Sequence, residues 1–220
     1  MIVKDTGGNF ENAPQGTHLA RCVGLTGIGS HESDWKGKAR LRTQIIVTWE
    51  LPYEMRQDGQ PFITSQFYTR SLSEKANLRN DLKNWRGRDF TAIELQQFDL
   101  KDVLDKGCQV VITENDKGKT YVTGVAGLPK GTDLPDRHNE LKYFDVEEWN
   151  GDEADPTFSG LSEKLQTMVK DSLEYGEIVK YGRVLDETER KEAREGTLDK
   201  PFSTEAEASD ESESDDSIPF

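Results

Sequence analysis

Between Lys38 and Leu51 the chain alternates with a period of two. Ala39, Leu41, Thr43, Ile45, Val47 and Trp49 share one side; Lys38, Arg40, Arg42, Gln44, Ile46 and Thr48 share the other. That pattern predicts a strand with one buried face and one polar, basic face. Pro52 is expected to end it, and Asp58-Gly59 marks a turn. Phe62–Arg70 repeats the period, with Ile63, Ser65, Phe67 and Thr69 on one face and Phe62, Thr64, Gln66, Tyr68 and Arg70 on the other. Ahead of these, Gly16–Leu25 reads as a first strand, and Gly27–Gly37, with its glycines and polar residues, reads as a loop carrying Trp35 and Lys36. Met1–Gln15 reads as an irregular lead-in.

The period then changes. Ser71-Leu-Ser-Glu74 fits a capping box, Leu78, Leu82 and Trp85 form an apolar helical stripe, and Gly87 is placed to stop the helix. Lys75, Arg79, Lys83 and Arg86 make a second stripe on the same helix, whose plain reading is a solvated face. Short helical pieces are expected at Thr91–Gln97 and Leu100–Lys106. Gly107 opens a hairpin of Cys108–Thr113 and Thr120–Leu128 around the turn Asn115–Gly118. Strand, strand, strand, helix, strand, strand is the order of an OB-fold, a five-stranded barrel that binds oligonucleotides. An SH3-like barrel lacks the long helix.

Beyond Pro129 the apolar positions thin out. Leu141, Tyr143, Phe144, Val146 and Trp149 suffice to dock Asp133–Trp149 on the barrel or on another subunit. Gly151–Phe158 reads as a linker. Leu161, Leu165, Met168, Val169 and Leu173 predict an amphipathic helix over Ser162–Tyr175, packed on the barrel or on a second copy, so a homodimer is one expectation. Tyr181–Lys200 is strongly charged and expected to be partly helical, and from Pro201 the composition predicts disorder. The expected architecture is therefore mainly β with α additions: an OB-fold over residues 1–130, an acidic, partly helical extension over 131–200 and a disordered acidic tail over 201–220.

Charge sharpens this division. The net charge of −14 argues against nucleic acid if taken whole. Residues 1–128, however, carry 17 Lys and Arg against 16 Asp and Glu, and Trp35–Arg88 carries 11 against 5. A basic patch on the body with the acids gathered at one end suits a protein that binds nucleic acid and must release it. No apolar run is long enough to span a membrane and no secretory signal is recognisable, so a cytoplasmic protein is expected. The two cysteines, Cys22 and Cys108, sit in strand-like runs and read as reduced core thiols.

Single-stranded nucleic acid is held by cations on phosphates and aromatic rings under bases. The alternation offers Lys38, Arg40 and Arg42 on the second strand and Phe62, Tyr68 and Arg70 on the third. The loops add Trp35 and Lys36 on one side and Lys117, Lys119 and Tyr121 on the other. Each has a plain alternative: Phe62 can cap the core, Tyr121 can point inward, and the cations can be solubilising. Trp49 and Trp85 follow the apolar faces and are assigned to the core. His18, His31 and His138 are scattered, no Cys/His spacing resembles a zinc site, and most carboxylates lie in the low-complexity end. No metal, cofactor or catalytic residue is therefore expected, and the protein reads as a non-enzyme.

Two resemblances add to this reading. Asp215-Asp216-Ser217-Ile218-Pro219-Phe220 resembles the C-terminal peptide of bacterial single-stranded DNA-binding proteins, which ends Asp-Asp-Asp-Ile-Pro-Phe, departing only at Ser217. In that family the tip binds genome-maintenance proteins through the terminal Phe and its carboxylate, so Asp215, Asp216, Ile218, Pro219 and Phe220 are implied to be a partner-binding segment. Separately, Lys4–Gly8, Pro14–Cys22, Thr48–Pro52, Ser71–Arg79 and Trp85–Arg88 resemble a family of small tailed-phage proteins encoded among replication and recombination genes, several of them treated as single-stranded DNA-binding proteins. Together they imply a phage-type protein that coats single-stranded DNA during replication or recombination in the bacterial host's cytoplasm. Its tail would recruit host or phage replication proteins. The alternatives are a decoy, whose tail blocks the host peptide's receptors while its barrel binds no DNA, and a nuclease or annealing recombinase.

Overall fold

The computed structural model describes residues 12–35 and 37–198. Its centre is a six-stranded sheet made of β1 (Gly16–Trp35), β2 (Lys38–Met55), β3 (Pro61–Thr69), β4 (Gly107–Glu114), β5 (Thr120–Ala126) and β6 (Lys142–Asp145). β1 to β5 pair antiparallel in the order β3-β2-β1-β4-β5. β6 joins the edge of β1 in parallel, opposite Gly24–Gly27, where β4 has ended. The sheet curls until β3 and β5 approach, and α1 (Asn77–Arg86) lies across both.

β1 is longer than its sequence pattern suggests. The stretch expected to be a loop is strand as far as Trp35, with register shifts between Cys22 and Gly24 and between Gly27 and Gly29. Its glycines mark close approaches rather than a turn. A Cβ on Gly27 would sit 2.5 Å from Asp145 Oδ1, so only glycine lets β6 lie alongside. β2 likewise runs past Pro52 to Met55, because a register shift between Leu51 and Met55 removes the need for a proline N–H. The turn after it is as expected, with Gly59 at φ 78°.

The capping-box reading of Ser71–Glu74 fails. α1 begins five residues later than that box requires, with Ala76 as N-cap and no side-chain cap, while Ser71 Oγ accepts from the Ser73 N–H at 3.2 Å in a local turn. Gly87 does close the helix, at φ 68°. Residues 91–97 form turns rather than a helix, and only a 3-10 turn at Leu100–Val103 is regular in the next piece.

The chain beyond 130 is more structured than its composition suggests. It supplies β6, then α2 (Pro156–Ser159) overlapping the end of the expected linker, α3 (Glu163–Lys170), α4 (Leu173–Tyr181) and α5 (Glu187–Glu195). The single helix expected over Ser162–Tyr175 is broken at Asp171, where Ser172 starts α4 by accepting from the Tyr175 N–H.

Two hydrophobic clusters result. The first fills the concave side of the sheet beneath α1, around Val47, Trp49, Leu51, Leu82, Val110 and Val125. Trp49 and Trp85 meet there at 6.3 Å between ring centroids. Cys22 and Cys108 are buried free thiols in the same cluster, and burial pushes the Cys22 thiol up to about 12. The second cluster lies on the opposite side of β1 and β2, where Ile28 and Ile46 are covered by Phe144, Val146, Trp149, Phe158, Val169 and Ile178. The acidic extension therefore covers part of the outer sheet face.

Candidate nucleic-acid interface

The β2–β3 register decides which side chains can meet a ligand. Ile45 faces Tyr68, Val47 faces Gln66 and Leu51 faces Phe62, all on the concave side; Ile46 faces Phe67, Thr48 faces Ser65 and Glu50 faces Ile63 on the outer side. Arg40 and Arg42 thus share the outer face of β2, as its alternation predicts. On β3 the expected face turns inward. Phe62 is half-buried against the first cluster, and Tyr68 is only 4% exposed, its hydroxyl donating to Asp81 Oδ2 at 2.8 Å. Burial and the neighbouring carboxylate of Asp81 push the Tyr68 phenol well above its ordinary range. The aromatic that does face outward is Phe67, 45% exposed, with Ile63 beside it and Thr48 Oγ1 hydrogen-bonded to Ser65 Oγ at 3.0 Å between them.

Arg70 is also removed from the face. Its Nη1 lies 2.9 Å from Asp145 Oδ2 and 3.1 Å from Glu147 Oε2, at the mouth of a cleft of about 430 Å³ beside Leu72, Phe98 and Tyr143. The cationic stripe of α1 is neutralised too. Arg79 and Lys83 pair with Asp89, and Arg86 and Arg88 pair with Glu94. The Phe90 N–H and Lys83 together hold the Asp89 carboxyl down at about 2. Arg40 and Arg42, by contrast, form no ion pair among the described residues.

No protein-family model and no curated protein matches the sequence.

Lys117, Lys119 and Tyr121 are exposed, Tyr121 at 43%, but they are not joined to the first patch. Gly16 faces Ile112, which puts the β4–β5 turn at the start of β1, whereas Arg40 and Arg42 face Ser33 and His31 near its far end. The turn is tied to the lead-in by Asn12 Nδ2, which donates to the Gly118 carbonyl at 2.8 Å. A strap of residues 128–139 crosses the outer face between the patches. Leu128 and Leu134 lie over Gly107, Arg21 Nη2 donates to the Pro135 carbonyl, and the Tyr53 hydroxyl reaches the Asp133 carbonyl. The strap ends on Glu50, which is 0% exposed and accepts from the N–H groups of His138 and Asn139 and from Asn139 Nδ2.

The side chains of Trp35 and Lys38, all of Lys36, and the tail residues Asp215, Asp216, Ile218, Pro219 and Phe220 lie outside the described residues. Among the described residues no group of His, Cys, Asp and Glu could hold a metal ion, and no helix is long and apolar enough to cross a membrane.

Tyr68 is therefore a structural residue. Tyr68→Phe should lower stability by about 1–3 kcal/mol, because the half-buried Asp81 loses its hydroxyl donor. Urea unfolding of the variant beside the wild type checks it.

Proposed function

We propose that the protein binds single-stranded nucleic acid, foremost DNA, with little sequence preference. The observation that carries this is the pairing, on one outer face of β2 and β3, of two cations without carboxylate partners among the described residues, Arg40 and Arg42, with one exposed aromatic, Phe67. Phosphates suit the first and base faces the second. The strand order, the helix between β3 and β4, and the approach of β3 to β5 support reading the sheet as an OB-fold, whose second and third strands offer such a face. Lys117, Lys119 and Tyr121 form a second, smaller patch that a strand crossing the strap would reach. In this reading the protein covers exposed strands during replication or recombination in a bacterial cytoplasm. The segment Asp215–Phe220 recruits replication proteins.

Titration with labelled oligo-dT over a range of salt tests the proposal. Affinity should fall as salt rises, with a log–log slope of about −0.7 for each phosphate contacted, hence at least roughly −1.4 from the two arginines. Absence of binding at low salt would refute the proposal and favour the decoy, and a flat salt response would refute the cationic face.

A further inference from the structure

The two arginines sit on an unusual support. Beyond the hydrogen bond from the Arg70 N–H to the Thr43 carbonyl, residues 31–35 of β1 and 38–42 of β2 have no third strand beside them among the described residues, because β6 ends opposite Gly27 and β3 opposite Gln44. They form a two-stranded ribbon that extends the sheet, and a ribbon of that kind is at best marginally stable alone. Its β1 edge is taken by α4. The Ser30 N–H donates to Glu174 Oε2 at 2.6 Å, and Glu174 is only 1% exposed. Gly29, at φ 83°, permits the approach; a Cβ there would lie 2.6 Å from both Glu174 Oε2 and Ser172 Cβ.

Glu174 is itself held from behind. Arg190 of α5 lies 3.5 Å from its Oε1 and donates through Nε to Glu177 Oε1 at 2.7 Å, while Glu177 accepts from the Leu185 N–H. On the same side Glu32 and Leu41 border a cleft of about 540 Å³ against Tyr181 and Leu185. Arg40 and Arg42 alternate with Leu41 and so point away from it.

From this we infer that Glu174 is a positioning residue for nucleic-acid binding. It fixes the ribbon so that Arg40 and Arg42 stand in line with Phe67. A buried acid in an acidic extension thus strengthens the hold on a polyanion, the opposite of what its charge does through space. The inference rests on the single-strand reading above.

A double-mutant cycle on the full chain tests it, with oligo-dT as the probe, titrated at several salt concentrations with unfolding midpoints recorded alongside. Glu174→Gln removes a negative charge yet should weaken binding about fivefold, because a neutral amide oxygen replaces the charged acceptor of the Ser30 N–H. The salt slope should become shallower by up to roughly 1.4, as two phosphate contacts are lost. Adding Glu174→Gln to Arg40→Ala/Arg42→Ala should cost nothing further, because the ribbon no longer carries the contacts it positions. Glu192→Gln, which removes the same charge from an exposed site on α5, should bind as well as the wild type or better. If Glu174→Gln does not fold at the assay temperature, Arg190→Lys keeps a cation beside Glu174 and Glu177 while loosening the same joint, and should show the same non-additivity.

Wild-type affinity in Glu174→Gln, or full additivity with the ribbon substitutions, overturns the inference while leaving the single-strand reading intact. A wild type that ignores oligo-dT overturns both.

Discussion

Replacing Phe67 with alanine is expected to weaken oligo-dT binding by roughly 5- to 150-fold, the loss of one base-stacking contact of about 1–3 kcal/mol. Phe67 projects from the outer face opposite Ile46, in the line of β2 residues that begins with Arg40 and Arg42. Its ring is nearly half exposed, so little core packing is lost and the unfolding midpoint should change by less than about 1 kcal/mol. Phe62→Ala should behave in the opposite way, because its ring packs against the first cluster: affinity is kept and stability falls. Fluorescence anisotropy with oligo-dT and urea unfolding on both variants separate the two faces of β3. Equal losses of affinity would mean that the strand does not lie on this face.

Removing the Glu50 carboxylate is expected to be the most damaging single change to stability. Glu50→Ala should destabilise the protein by about 3–5 kcal/mol, because two backbone N–H groups and the Asn139 amide would lose a charged acceptor where water does not reach. Glu50→Gln retains one carbonyl oxygen and should recover part of the loss. Hydrogen exchange at the His138 and Asn139 amides provides the local check: both should exchange faster in the alanine variant. If they stay protected with the urea midpoint unchanged, the strap is held by Leu128, Leu134 and its contact with Arg21 instead.

The sheet was largely legible in the sequence because alternation is a local property. β2, β3 and the β4–β5 hairpin follow from it directly. The faces of β3 were not legible, because both sides carry two large apolar residues, Phe62 and Tyr68 on one and Ile63 and Phe67 on the other. What separates them lies far along the chain: the register with Val47 and Leu51, and the arrival of Asp81 beneath the Tyr68 hydroxyl. That register is the signal that identifies Phe67.

The ion pairs of Arg70 and of the α1 stripe were not legible for a related reason. A cation's partner is set by tertiary contacts, and Asp145, Asp89 and Glu94 are not neighbours that helical or strand periodicity would suggest. β6 and α2 were missed because they are only four residues each, too short for a period to register, and are held by docking on β1 and the second cluster. The glycines of β1 read as a loop, since a glycine that admits a neighbour's side chain looks the same in sequence as one that turns the chain.

β1 lends its concave side to one cluster and its convex side to the other. Neither apolar assembly can come apart without disturbing the backbone they share. The body and its acidic appendage should therefore denature together in one step, with a single heat-capacity peak whose calorimetric and van't Hoff enthalpies agree.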